Sequence, residues 1–153
     1  MRGVRFLLIV SLLSTTACSK LFGKGGSGSE DAAGEGNIPM ASAGSELGDV
    51  GFDYDSSNLS ASAKETLRTN SQWLTDHPGQ AVTIEGHCDE RGTNEYNMAL
   101  GMRRAQSVFE YVRSLGVEES RLSRVSYGEE LPLVQGGGEA AWSKNRRAHF
   151  SMK

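Results

Sequence analysis

Val82-Thr83-Ile84-Glu85-Gly86-His87-Cys88-Asp89-Glu90-Arg91-Gly92-Thr93-Asn94-Glu95-Tyr96-Asn97 passes from strand to helix across one polar loop. Val82, Ile84 and Gly86 alternate with Thr83 and Glu85, the two-residue period of a strand with one covered face. Thr93 offers a hydroxyl to cap a helix, and Glu95 puts a carboxylate in its first turn, where the helix dipole favours negative charge. Gly101, Ala105, Val108, Val112 and Leu115 then recur at the period of a helix packed on one side, and Gly116 ends it.

Working outward, Val50 and Phe52 alternate with Gly51 and Asp53 and predict a short strand. Residues 60–77 read as a helix: Ser62 and Glu65 have capping-box spacing, Leu67 and Leu74 lie two turns apart, and His77-Pro78-Gly79 stops it. Residues 122–127 read as a third strand. Residues 128–145, with Pro132 and three successive glycines, read mostly as loop. Residues 147–152 read as a last strand with Ala148, Phe150 and Met152 on one face. The order β-α-β-α-β-β predicts an α/β (α+β) two-layer sandwich, a small sheet with two helices on one face. At about 105 residues such a domain buries an adequate core without disulfides.

The N-terminus has a different character. Arg2 and Arg5 open it without any acid, an apolar run from Phe6 to Leu13 is broken only by Ser11, and small residues lead to Cys18. That pattern predicts a secretory signal over residues 1–17, too short to stay in a membrane as a helix of about 20 residues. Cys18 resembles the lipid-bearing cysteine of bacterial lipoproteins, with Thr15 where Leu is usual and Ser19 favouring the outer membrane; a plain secretory cut after Ala17 is the alternative. Each buried methylene of a lipid contributes about 0.8 kcal/mol, so more than one chain makes the anchor durable. The segment 18–46 is rich in Gly, Ser and Ala and poor in large apolar side chains, so it reads as a tether before a folded domain at 47–153. Its length corresponds to roughly 30 Å as a coil and about 90–100 Å drawn out. The net charge of -3 carries no basic excess, which excludes a general nucleic-acid binder. Cys88 has no intrachain partner once Cys18 is acylated and reads as a small residue in or near a strand, with an intermolecular disulfide as the alternative.

His87-Cys88-Asp89-Glu90-Arg91 is the polar loop where function belongs, beside the start of a helix. Asn97, Leu100 and Arg104 share one face of that helix, which brings Arg104 toward the loop holding Asp89. An acid and a guanidinium flanking one pocket suit a zwitterion, the carboxylate taking an ammonium and the guanidinium forking onto a carboxylate. On spacing alone, two solvated charges or an ordinary salt bridge remain open. His87, His149, Cys88 and Asp89 lack zinc-ligand spacing. Ser143 and Lys144 adjoin rather than face each other, with no third group to activate a nucleophile. Asn145-Arg146-Arg147 reads as structural, with a phosphate, wall or partner contact as the alternative. Trp73 and Trp142 read as packing residues, Trp142 near enough to a loop to meet a partner.

Glu85-Gly86-His87-Cys88-Asp89-Glu90-Arg91-Gly92-Thr93, Glu95-Tyr96-Asn97, Leu100-Gly101-Met102-Arg103-Arg104-Ala105, Ser126-Tyr127-Gly128, Ser143-Lys144-Asn145-Arg146-Arg147-Ala148 and Phe52-Asp53-Tyr54-Asp55 together resemble the OmpA C-terminal-like domains, in particular the peptidoglycan-associated lipoprotein family, from about Leu47 to Lys153. The resemblance implies noncovalent binding of the free end of meso-diaminopimelate in peptidoglycan stem peptides. It places the ligand-binding acid and arginine on Asp89 and Arg104, and further pocket residues on Asp55, Arg91, Thr93, Tyr96, Asn97 and Leu100. It implies a lipid-anchored domain in the periplasm of a Gram-negative cell, bridging outer membrane to wall, with TolB and TolA as partners in outer-membrane constriction during division. It implies no catalysis and no cofactor beyond the lipid on Cys18; a wall hydrolase or metal-dependent enzyme is the competing reading. The chain departs from the family at Cys88, where Ala or Thr is usual, at Asn94, a common Pro, and at Asn58, an acid.

Overall fold

The computed structural model describes residues 46–153. The expected signal segment, Cys18 and the tether as far as residue 45 lie outside the described residues. Four strands and three helices follow in the order β1 (Val50–Gly51), α1 (Ala61–Asp76), β2 (Val82–His87), α2 (Asn94–Ser114), β3 (Leu122–Gly128), α3 (Glu139–Asn145) and β4 (Arg147–Met152). The sheet order is β1-β4-β2-β3: β2 and β3 run parallel across α2, and β4 inserts antiparallel between β1 and β2. Val50, Val82, Ile84, Ala148 and Phe150 from the sheet meet Leu67, Leu74, Val108 and Val112 from α1 and α2 in one core. The two long helices on one face are therefore as the sequence predicts.

Local chemistry sets the helix ends. The Ser60 hydroxyl, rather than that of Ser62, accepts the Ala63 N–H at 3.1 Å and caps α1, while Glu65 pairs with Arg68 instead of closing a capping box. At the other end, the Arg121 guanidinium donates to the carbonyls of Leu74 and His77 at 2.7 and 2.8 Å, filling acceptors that a helix terminus leaves open. Leu115 and Met152, expected inside, are 38% and 40% exposed; Phe109 and Val112 are the last buried apolar residues of α2, and Leu115 lies past its end as the C-cap. The span 128–145 is mostly loop, as expected, but its last seven residues form α3. Glu139-Ala140-Ala141 are good helix formers with an acid in the first turn, but two turns are too short to show a period.

The contact that positions the site is backbone against backbone. A methyl group on Gly86 would lie 1.9 Å from the Gly101 carbonyl oxygen, and one on Gly101 would lie 2.3 Å from the Ser126 hydroxyl. α2 therefore lies directly on β2 and β3 at these glycines, and the next turn delivers Arg104 to the end of β2. On the helix-free face, His149 Nδ1 donates to Asp49 Oδ1 at 2.7 Å, and Asp49 Oδ2 lies 3.6 Å from Arg147. His87 stacks on Tyr127 with ring centroids 5.6 Å apart, its Nε2 3.8 Å from the Glu85 carboxylate. Burial, with the charges of Arg147 and His149, pushes the His87 pKa down to about 3.

Gly86→Ala is expected to lower unfolding free energy by about 1–3 kcal/mol through overpacking. Gly51→Ala, where an added methyl meets nothing within 4 Å, is the control and should stay within about 0.5 kcal/mol in the same urea titration. Between the ordinary 6.5 and about 3, unfolded His87 takes up a proton that the folded site refuses, so stability falls as pH drops through that window. His149 behaves oppositely: its bond to Asp49 raises its pKa, so its contribution is whole below 6.5 and is lost as pH climbs through the raised value. Urea midpoints measured across the acid range should fall less steeply in His87→Gln than in the wild type.

Candidate functional site

Where β2 ends, the loop 88–93 and the start of α2 close a cavity of about 220 Å³ with the loop that follows β1. Asp55, Asp89, Arg91, Tyr96, Asn97, Leu100 and Arg104 line it, joined by Tyr54, Cys88, Gly92 and Arg146. Thr93, also expected at the site, is not in the lining; its hydroxyl accepts the Tyr96 N–H at 3.2 Å and caps α2. Sequence order hides Arg146, because strand pairing brings it in: its own carbonyl accepts from the Phe52 N–H at 3.0 Å, and its Nε donates to the Phe52 carbonyl at 3.0 Å. Tyr54 was within reach of sequence reasoning, since it adjoins Asp55.

Arg104 is 1% exposed and gives its N–H groups to backbone. Nε donates to the Ser56 carbonyl at 2.8 Å, Nη1 to the His87 carbonyl at 2.7 Å and Nη2 to the Asp53 carbonyl at 3.0 Å, and Nη1 also meets the Cys88 sulfur at 3.4 Å. A guanidinium has five N–H groups, so one is left for a ligand and the bidentate fork expected of it is not free. Burial lowers the Arg104 pKa, and the charges of Asp89 and Asp55 pull the other way. The side chain thereby ties the loop after β1 to the end of β2.

Asp89 is 3% exposed and heavily hydrogen-bonded. Oδ1 accepts from the Arg91 backbone N–H and Nε, both at 3.1 Å; Oδ2 accepts from Arg91 Nη2 at 2.7 Å and Arg146 Nη1 at 3.2 Å. Burial pushes its carboxyl upward, but these bonds outweigh burial and hold it below the usual carboxylate range. Asp55 stands at φ +50°, a left-handed position that Asp tolerates, and accepts a hydrogen bond from the Tyr96 hydroxyl. Asn97, 2% exposed, donates to the Asp89 and Arg91 carbonyls at 3.2 and 3.1 Å and to Glu129 at 2.5 Å, so its amide shapes the loop. The Cys88 thiol is buried, donates to the Asn97 carbonyl at 3.3 Å, and burial raises its pKa, which leaves it a poor nucleophile.

Asn145, Arg146 and Arg147 divide their tasks. Asn145 pairs with both the N–H and the carbonyl of Val134 at 2.9 Å and pins the preceding loop. Arg147 lies beside Asp49, and Arg146 faces the cavity. Trp73 stacks on His77 with centroids 3.9 Å apart, whereas Trp142 stacks on the Arg91 guanidinium at 4.1 Å. Among the described residues no three His, Cys, Asp or Glu side chains group to hold a metal ion. The cavity thus presents three guanidiniums and two carboxylates, an arrangement suited to a small ligand carrying both charges and a surplus of negative charge.

The model of the OmpA family matches residues 51–146. The peptidoglycan-associated lipoprotein of Agrobacterium fabrum is 48% identical over 97 residues, covering 63% of this chain and 55% of that protein. The chain therefore spans little more than half of that relative's length. The peptidoglycan-associated lipoprotein of Pseudomonas aeruginosa is 39% identical over 159 residues, covering 94% of this chain and 92% of its own. The crystal structure of the peptidoglycan-associated lipoprotein from Burkholderia pseudomallei superposes with a TM-score of 0.66 at 40% identity, over 69% of this chain and 89% of that one.

Because three carbonyls depend on Arg104, Arg104→Met should lower unfolding free energy by about 3 kcal/mol, the order expected when buried acceptors lose a charged donor. Asp55→Asn, at an exposed position, should change it by less than about 1 kcal/mol. Thermal melts of the two variants beside the wild type check the contrast.

Proposed function

The chain belongs to the OmpA family, among the peptidoglycan-associated lipoproteins, and on that premise we propose that it binds peptidoglycan noncovalently through the free, doubly charged end of meso-diaminopimelate. The observation that carries this reading is Arg104, a buried cation whose hydrogen-bond partners in the site are backbone carbonyls and a sulfur, in one cavity with Asp89. A ligand carboxylate entering there supplies the counter-charge that Arg104 lacks, and its ammonium is drawn to Asp89. A ligand without one of the two groups leaves a desolvated charge uncompensated, which is how such a pocket discriminates. At about 220 Å³ the cavity takes an amino-acid tip; pockets for drug-sized molecules run to roughly 300–1,000 Å³.

The function is binding and not catalysis. In the proposed arrangement Cys18 carries the lipid, the outer membrane holds it, and residues 18–46 give the domain its reach through the periplasm to the wall. TolB and TolA are the proposed partners, and constriction of the outer membrane during division the proposed setting. Single contacts of modest affinity suffice, because many copies on one membrane face many stem peptides.

Co-sedimentation of the purified chain with diaminopimelate-type peptidoglycan tests the reading. Wild type should sediment, and Asp89→Asn, which keeps the shape and removes the charge, should fall at least about tenfold in bound fraction. Lysine-type peptidoglycan lacks the side-chain carboxylate and should not retain the protein. Equal retention on both walls would overturn the zwitterion reading. Mass spectrometry of the mature N-terminus separates an acylated Cys18 from a plain cut after Ala17.

A further inference from the structure

We propose that Arg91 is the chain's own occupant of the ammonium position on Asp89, and that Trp142, from outside the cavity, is the positioning residue that keeps it there. This rests on the binding reading above and adds a resting state to it. A carboxylate offers about four lone-pair sites, and on Asp89 all four are used: three donors come from Arg91 and one from Arg146. Asp89 is also 3% exposed, so a ligand ammonium has no unoccupied approach to it. One of the present donors must leave first.

Arg91 is the donor built to leave. Its side chain is 30% exposed, against 8% for Arg146, which is also held by the Phe52 carbonyl and Glu139. What keeps Arg91 in place is contact with two rings: its guanidinium carbon lies 4.0 Å from the Tyr54 ring centroid and 4.1 Å from that of Trp142, while its N–H groups hold Asp89. Trp142 belongs to α3, not to the cavity lining, and its indole N–H donates to Glu90 at 3.1 Å. α3 follows Gly136-Gly137-Gly138, of which Gly136 and Gly138 stand at φ +101° and +99°, a backbone that other residues adopt only with strain.

Charge is conserved in the exchange. The ammonium replaces the Arg91 guanidinium on Asp89, and the released guanidinium becomes available to the carboxylate of the same ligand. One internal ion pair becomes two intermolecular ones. A ligand carrying only an ammonium expels Arg91 without giving it a carboxylate in return, leaving it only the exposed Glu139 4.0 Å away, so the latch adds to the selectivity for a zwitterion. Weakening the stack should therefore tighten ligand binding, the opposite of what loss of a direct contact does.

Isothermal titration of the full chain with the stem tripeptide L-alanyl-D-isoglutamyl-meso-diaminopimelate reads the effect. Trp142→Leu should bind about three- to tenfold more tightly, the size of one cation–π stack, and Trp142→Phe, which keeps a ring over the guanidinium, should return close to wild type. Tyr54→Leu, at a position 60% exposed and so safe for folding, should shift affinity in the same direction. The gain should vanish in an Arg91→Leu background and for the tripeptide acetylated on the diaminopimelate side-chain amine. Wild-type binding with unchanged or weaker binding by folded Trp142→Leu and Tyr54→Leu would overturn the latch and leave the binding reading standing. No binding by wild type would sink both.

Discussion

A guanidinium sealed from water must find its hydrogen bonds inside the protein, and Arg104 finds them on two separate segments. Asp53 and Ser56 belong to the loop after β1, and His87 ends β2. Desolvating such a cation costs several kcal/mol unless its donors are used, so the two segments are held to one another wherever Arg104 is held. Its place is set in turn by the glycine contact, since only two residues without side chains let α2 lie on β2 with a carbonyl 1.9 Å from where a Cβ would be. The cavity is what remains between elements joined in this way. Loss of the close approach would lift α2 and carry the guanidinium away from the carbonyls that accept its hydrogen bonds.

The charges around the cavity are unevenly satisfied. Asp89 has more donors than a binding carboxylate needs, whereas Arg104 has dipoles and no hydrogen-bonded carboxylate. A site made only of matched ion pairs would offer a ligand nothing that the protein does not already supply. This one combines a spare cation with an anion whose occupant is exchangeable, and both face the same volume. The contacts of Arg91 with Tyr54 and Trp142 explain how a partly exposed guanidinium stays ordered without burial: two rings lie about 4 Å from it and a carboxylate takes its N–H groups.

Much of this was legible along the chain, and the reasons for the misses are specific. α2 has 21 residues, enough for its apolar stripe to repeat, and Thr93 caps it by the hydroxyl the sequence offered. Val82, Ile84 and Gly86 alternate as strand residues do, and they pair across two neighbours. α3 has 7 residues, less than the span over which a period shows. The cap of α1 falls on Ser60 and not Ser62 because both hydroxyls satisfy the local rule and only the approach of the chain chooses between them. Arg146 reaches Asp89 across 57 positions and Phe52 across 94, through strand pairing that no local motif encodes. The acid and the base of the site were readable as types; their hydrogen-bond partners were not, because backbone carbonyls leave no trace in a sequence.

Those partners alter what the site residues do. Arg104 was expected as a fork for a ligand and is first a clamp on the fold, with one N–H to spare. Arg91 sits on the acid where a ligand would sit. A pocket that must break an internal ion pair to fill gives up part of each binding event, so a single contact is weaker and more selective than the charges alone suggest. For a domain on the proposed tether that is a workable compromise. Weak contacts let go individually while many acting together would, in the proposed arrangement, hold a membrane to its wall, and selectivity for a zwitterion keeps the pocket from closing on the single charges that crowd any cell surface.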